Sequence, residues 1–203
     1  MSDADKDTKI MARTSVPRNS AGTTIVSLKV TLRGTKPPIW RRLVMPDTMT
    51  LDDLHQAIQA TMGWDDGHLH TFDIDGRPYG DRQTVDDVAD ENRLTLKGLL
   101  KSGVARFAYT YDFGDNWEHT VAIEKTQPAI DAEPYPLCVA GKRACPPEDC
   151  GGPWGYQHLL EVLADPDHPD YADQKEWIDE DFNPDHFDTV AANAVLAARF
   201  KRR

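Results

Sequence analysis

The chain has 203 residues, 28% charged and 39% apolar, with a formal net charge of −11. That balance describes a soluble globular protein long enough for one real core, and no apolar run nears the ~20 residues a bilayer span requires. The polar, mixed-charge N-terminus lacks the apolar stretch of a secretory signal, and three cysteines without one point to a reducing, cytoplasmic setting.

Residues 1–24 are expected to form a disordered tail, and residues 25–203 a single domain. Residues 25–32 read as a strand, because Val26, Leu28, Val30 and Leu32 alternate with Ser27, Lys29 and Thr31. A Gly-Thr-Lys-Pro-Pro break follows, and residues 39–45 form the return arm of a hairpin. Thr50 with Asp53 is a capping-box variant that opens a helix carrying Leu51, Leu54, Ile58 and Met62 at helical spacing, and Gly63 ends it. Residues 68–74 read as a strand closed by the Asp75-Gly76 turn. Residues 83–103 give a weaker pattern, in which Thr95 caps a short helix with Leu96, Leu99 and Leu100.

The clearest hairpin comes next. Phe107, Tyr109, Tyr111 and Phe113 share one strand face, Gly114-Asp115-Asn116 turns, and Trp117, His119, Val121 and Ile123 line the return. Residues 128–147 read as a proline-rich connector into a loop, Cys145-Pro-Pro-Glu148-Asp149-Cys150-Gly-Gly, whose prolines stiffen it and whose glycines permit positive φ. The last third is helical. One helix spans residues 155–164, a second lies near residues 171–178 anchored by Trp177, and a third starts with Asn183 as cap and Pro184 at its first position. That third helix would bury Phe187, Val190, Ala194 and Ala198. Arg199, Lys201, Arg202 and Arg203 close it, where cations oppose the helix dipole. This order gives an α+β fold with a largely antiparallel sheet or roll, one helix after the first hairpin, and a helical C-terminal third.

The charge is uneven. Between residues 131 and 188, fifteen acids face only Lys142, Arg143 and Lys175. Such a surface repels phosphate backbones, so nucleic acid is disfavoured, while a solvated face, a basic protein partner or a cation fits.

Alternation puts His68 and His70 on the same strand face as Phe72 and Ile74, hence inward, and His119 beside Trp117 points inward as well. Cys138, Cys145 and Cys150 with His119 make a candidate zinc set, since structural zinc takes four Cys or His ligands. The spacing fits equally well with cysteines buried as small hydrophobes and histidines hydrogen-bonded in the core. Glu148 and Asp149 with Asp112, Asp115 and His119 offer acid and base if the hairpin tip meets the cysteine loop. A thiolate at Cys145 or Cys150 with His119 as base is a further arrangement. Trp40, Tyr111, Trp117, Trp154 and Tyr156 complete the candidate pocket. Arg41 and Arg42 fall on opposite strand faces, one suited to an acid partner and the other to solvent.

Four ordered motifs resemble one family. They are Pro37-Pro38-Ile39-Trp40-Arg41-Arg42, Gly63-Trp64 through His68-Leu69-His70-Thr71-Phe72, Tyr111-Asp112-Phe113-Gly114-Asp115-Asn116-Trp117-Glu118-His119, and Cys145 through Gly155-Tyr156. Over residues 25–188 the chain is similar to the Ri-plasmid ORF-three-like family, whose members are often labelled insertion-element passenger proteins of TnpR type. The resemblance implies a one-domain α+β fold and transfers no catalytic residue. Recombination does not suit the chain, because its serines lie mostly in the tail and its helical third is acidic. The expected role is a non-enzymatic binding or accessory module of bacterial mobile elements, with a candidate structural zinc. The alternatives are a metal-dependent hydrolase or nuclease using His68, His70, His119 and Asp115, and a nucleic-acid binder using Arg41, Arg42 and the basic C-terminus.

Overall fold

The computed structural model describes residues 23–130 and 133–201. The alternating run that opens the domain forms β1 (Thr24–Leu32), with Val26, Leu28, Val30 and Leu32 buried. Thr24 therefore belongs to the sheet, and the rest of the expected tail, residues 1–22, lies outside the described residues, as do Arg202 and Arg203. β1 pairs antiparallel with β2 (Trp40–Pro46), Thr31 opposite Trp40. The helix that follows, α1 (Leu51–Met62), starts on the anticipated capping box: Thr50 accepts from the Asp53 amide while Asp53 accepts from the Thr50 amide. Gly63 ends it at φ 92°, a left-handed value that glycine adopts without a Cβ penalty.

β3 (His70–Ile74) turns at Asp75-Gly76 into β4 (Arg77–Gly80), and β5 (Ala89–Asp90) adds a short parallel edge. A 3-10 turn, Glu91–Arg93, leads to α2 (Leu96–Lys101), whose Thr95 cap accepts from the Gly98 amide. β6 (Arg106–Tyr111) and β7 (Trp117–Pro128) form the aromatic hairpin, with Tyr109 opposite His119 and Tyr111 opposite Trp117. β8 (Leu137–Lys142), α3 (Gly152–Ala164), α4 (Tyr171–Trp177) and α5 (Thr189–Phe200) follow. Among the described residues, eight strands run in the order β5-β4-β3-β6-β7-β1-β2-β8, antiparallel except at β4–β5. The α+β architecture with its large, mainly antiparallel sheet is the one expected. α5 packs on α1 and on β8.

Four local expectations are corrected. The connector contains a strand, β8, hidden because Leu137–Lys142 is short and follows two prolines; as an edge strand it tolerates them. The Asn193 side chain of α5 accepts from the Cys138 amide at 2.8 Å and donates to the Cys138 carbonyl at 2.9 Å, fastening that edge. Asn183 and Pro184 make a turn rather than a helix start: Asn183 Oδ1 accepts from the Asp185 amide, and α5 begins only at Thr189, capped by Asp188. The same residues suit either role, and the later start shifts the buried stripe to Ala192 and Leu196, leaving Val190 exposed. In α4, Trp177 is half exposed and the neighbouring Ile178 is the buried anchor. Phe113 is exposed because β6 stops at Tyr111 and Asp112 turns the chain at φ 56°.

Candidate functional site

The tip of the aromatic hairpin and the cysteine loop meet. Asp115 Oδ2 accepts from the Gly151 amide at 3.1 Å, and the Tyr111 hydroxyl donates to Glu148 Oε1 at 3.0 Å. The Asp65 amide donates to the same Glu148 oxygen at 3.0 Å. Trp64, stacked on Tyr111 at 4.9 Å, donates its indole N–H to the Pro146 carbonyl at 3.0 Å. Gly152, at φ 67°, is required here, because any side chain would overlap the Asp115 carbonyl.

His68 sits at this junction. Its Nδ1 lies 3.7 Å from Asp112 Oδ1, and its Nε2 lies 3.4 Å from Asp149 Oδ1 and 3.9 Å from Glu148 Oε2. His68, Asp112 and Asp149 offer ligand atoms mutually within 4.8 Å, the one such group of His, Cys, Asp or Glu among the described residues. Asp112 is buried and held by the Gly114 amide at 2.8 Å, whereas His68 is 33% and Asp149 74% exposed at the side chain. Asp112 and Asp149 both adopt positive φ, 56° and 55°, a conformation aspartate tolerates better than most residues. Glu148 Oε2 is buried with no hydrogen-bond partner among the described residues. One imidazole with carboxylates near both of its nitrogens is a donor set for a divalent cation of borderline or hard character.

The remaining candidates go elsewhere. His68 precedes β3 rather than lying in it, so it turns to the carboxylates, whereas His70 is buried and bonds Glu91 Oε2 through Nε2 at 2.8 Å. His119 points inward as expected but into the core, between Trp64 and Tyr109; both its nitrogens lack partners among the described residues. Burial lowers its pKa to about 4, against the weaker upward pull of the Tyr109 and Trp117 carbonyls. Cys138, Cys145, Cys150 and His119 do not converge as ligands. Cys138 lies on β8 with its thiol at the Ala140 carbonyl, and burial pushes all three thiols up, Cys150 to about 12. The physical reason is that β8 carries Cys138 into the sheet while the hairpin buries His119 behind Trp64. Asp115 is committed to Gly151, so the set His68, His70, His119 and Asp115 does not converge either.

Trp117 and Tyr156 are buried, their indole N–H and hydroxyl without partners among the described residues. Trp154, in the first turn of α3, is 88% exposed. Trp40 faces cations, Lys29 at 4.9 Å and Arg42 at 5.2 Å from its ring. Arg42 pairs with Glu124 at 2.7 Å. Arg41 is not in solvent but buried: it donates to the Thr61 carbonyl at 2.7 Å and covers the Phe187 ring at 3.8 Å.

A second polar feature adjoins the junction, a cleft of about 520 Å³ lined by His55, Asp66, His68, His70, Asp81 and Glu91 among others. His55 stacks face to face on His70 at 3.5 Å, with Nε2 2.7 Å from Asp66 and Nδ1 2.8 Å from the Tyr109 hydroxyl. Burial lowers the His55 pKa. Burial raises that of Asp66, but the bonds from His55 and Gln56 and the charge of Arg199 outweigh it, leaving Asp66 below its usual value. Sequence reasoning passed over His55, Asp66 and Glu91. Only His55 left a signal, since it falls within the apolar stripe of α1, between Leu54 and Ile58.

A family model described as plasmid pRiA4b ORF-3-like protein matches residues 24–191. An uncharacterised protein of Sinorhizobium fredii (strain NBRC 101917 / NGR234), y4hQ, is 42% identical over 190 residues, covering 88% of this chain and 95% of that one. The crystal structure of MM3350 from Methanosarcina mazei Go1, a protein of unknown function, superposes with a TM-score of 0.78 at 41% identity, covering 83% of this chain and 97% of that one.

Proposed function

The chain belongs to the plasmid pRiA4b ORF-3-like family, and from that premise we propose that it is a non-enzymatic binding module that takes a divalent cation at His68, Asp112 and Asp149. The observation that carries this reading is the convergence of those three ligand atoms beside the partnerless Oε2 of Glu148. A buried carboxylate oxygen with no donor is costly, and a cation 2–3 Å away would satisfy it. The cation would also tie the hairpin tip to the cysteine loop, so binding and the shape of this surface are coupled. A cytoplasmic accessory role on mobile elements goes with this reading, and the plasmid origin in the family's description supports it. The acidic segment between residues 131 and 188 favours a basic protein partner over nucleic acid, and burial of Arg41 removes one of the phosphate contacts that binding to nucleic acid would use.

Calorimetric titration of Mn²⁺ and Zn²⁺ into chelator-treated protein tests the assignment. About one equivalent should bind the wild type, and Asp149→Asn or His68→Ala should weaken it about tenfold or more. Binding that is absent, or unchanged in both variants, refutes the site.

The exposure of Asp149 favours a second reading. A cation held by few protein ligands at an open face keeps water in its shell, the requirement for metal-assisted hydrolysis. Mn²⁺-dependent cleavage of bis-p-nitrophenyl phosphate that vanishes in Asp149→Asn would support this enzyme reading; none in the wild type would leave the binding module.

A further inference from the structure

We propose that the small cavity between residues 34–37 and the first turns of α3 binds one monovalent anion, either a halide or the end of a carboxylate.

The cavity has the opposite charge to the chain around it. Lys36 and Arg143 line it and no carboxylate does, among the described residues, although the whole chain carries −11. Lys36 makes no ion pair among the described residues. Arg143 is buried, and Asp185 takes a bond from its Nη1 only, so the guanidinium keeps donors to spare. Its backbone stands at φ 68°, a left-handed value unfavourable to any residue with a Cβ.

Tyr156 is the independent sign of a ligand. It lines the cavity at 3% exposure, and its enclosed hydroxyl has no hydrogen-bond partner among the described residues. Burial raises its pKa to about 12, so near neutrality the proton stays on the oxygen. The Arg143 guanidinium is near enough to pull that value back, but a guanidinium only donates. Thr35 turns its own hydroxyl to the Leu32 carbonyl. The Tyr156 proton is thus a buried donor without an acceptor, which is costly, and both charged groups in the wall are donors too.

Size and polarity select the occupant. The cavity offers about 10 Å³, room for one water-sized centre. A halide or a single carboxylate oxygen suits that space, and the tetrahedral head of a phosphate does not. A water molecule would accept the tyrosine proton, yet its own two protons would face Lys36 and Arg143, which cannot accept them. An anion accepts from all three groups, and the two charge-assisted bonds are the stronger kind. The cavity does not depend on the cation site, since His68, Asp112, Glu148 and Asp149 do not line it.

The test records ¹H–¹⁵N spectra of the full chain while sodium chloride or sodium acetate replaces sodium methanesulfonate at constant ionic strength. At least one of the two should shift the amides of residues 34–36 and the Arg143 Nε–H along a saturating curve. A ligand this small should reach half-saturation on the order of 0.1 M, and the anion that responds identifies the source. Tyr156→Phe keeps the ring, removes the donor and should weaken binding about threefold or more. Lys36→Gln, at an exposed position, should weaken it about threefold to tenfold. Weakening in either variant with a native spectrum supports the site. The proposal is overturned if neither anion gives a saturating shift, or if the curves are unchanged in both variants.

Discussion

Replacing His119 with leucine isolates the cost of a buried imidazole in this core. The ring is fully enclosed, lies 5.2 Å from Tyr109 and 5.5 Å from Trp64, and has no hydrogen-bond partner at either nitrogen among the described residues. Its pKa falls from 6.5 to about 4, so the folded chain excludes a proton that the unfolded chain accepts. Above pH 6.5 the ring is neutral in both states and has no pH effect. As pH drops toward 4 the unfolded state gains protons first, and stability is lost across that window, not above it. At about 1.4 kcal/mol per pH unit the loss totals about 3 kcal/mol. Urea unfolding followed by tryptophan fluorescence, wild type against His119→Leu, removes every other titrating group from the difference. Near pH 7 the variant should match or exceed the wild type, since partnerless buried nitrogens cost about 1–3 kcal/mol. By about pH 4.5 the wild type should have lost about 2–3 kcal/mol relative to the variant. Parallel pH profiles, agreeing within about 0.5 kcal/mol throughout, would refute the reasoning.

Thr50→Ala removes the capping box of α1 and should cost about 1 kcal/mol in the same unfolding assay. Gly152→Ala, at φ 67° and against the Asp115 carbonyl, should cost more than about 1 kcal/mol and weaken Mn²⁺ binding with it, because the loop that carries Asp149 must shift. Native Cys138 and Cys145 should resist thiol reagents near pH 7 until urea exposes them, because burial raises both thiols; rapid labelling of the folded protein would contradict this.

The sequence was most legible where local chemistry and periodicity agree. The Thr50–Asp53 box, Gly63 and the alternation of β1 act within a few residues, so tertiary structure had little to override. The candidate site was half legible. Residue types placed His68, Asp112, Glu148 and Asp149 in one pocket, and the meeting of hairpin and loop follows from their contacts. Which nitrogen faces which oxygen depends on where β3 starts, and a shift of start from His68 to His70 sends the two histidines to different carboxylates. The pairing of His70 with Glu91 joins residues far apart in the chain, and no local pattern announces it. Asn183-Pro184 failed for the opposite reason: the local signal was strong, but turns and helix starts share it.

The clasp of Asn193 on Cys138 bears on how this molecule avoids sticking to itself. A terminal strand with bare amides and carbonyls invites a stranger's backbone to continue the ladder. The carboxamide of Asn193 imitates a peptide group, filling the donor and acceptor of Cys138 as a ninth strand would. Exchanging it for leucine would reopen that rim, and the first symptom should be self-association, scored by light scattering, before any loss of the fold.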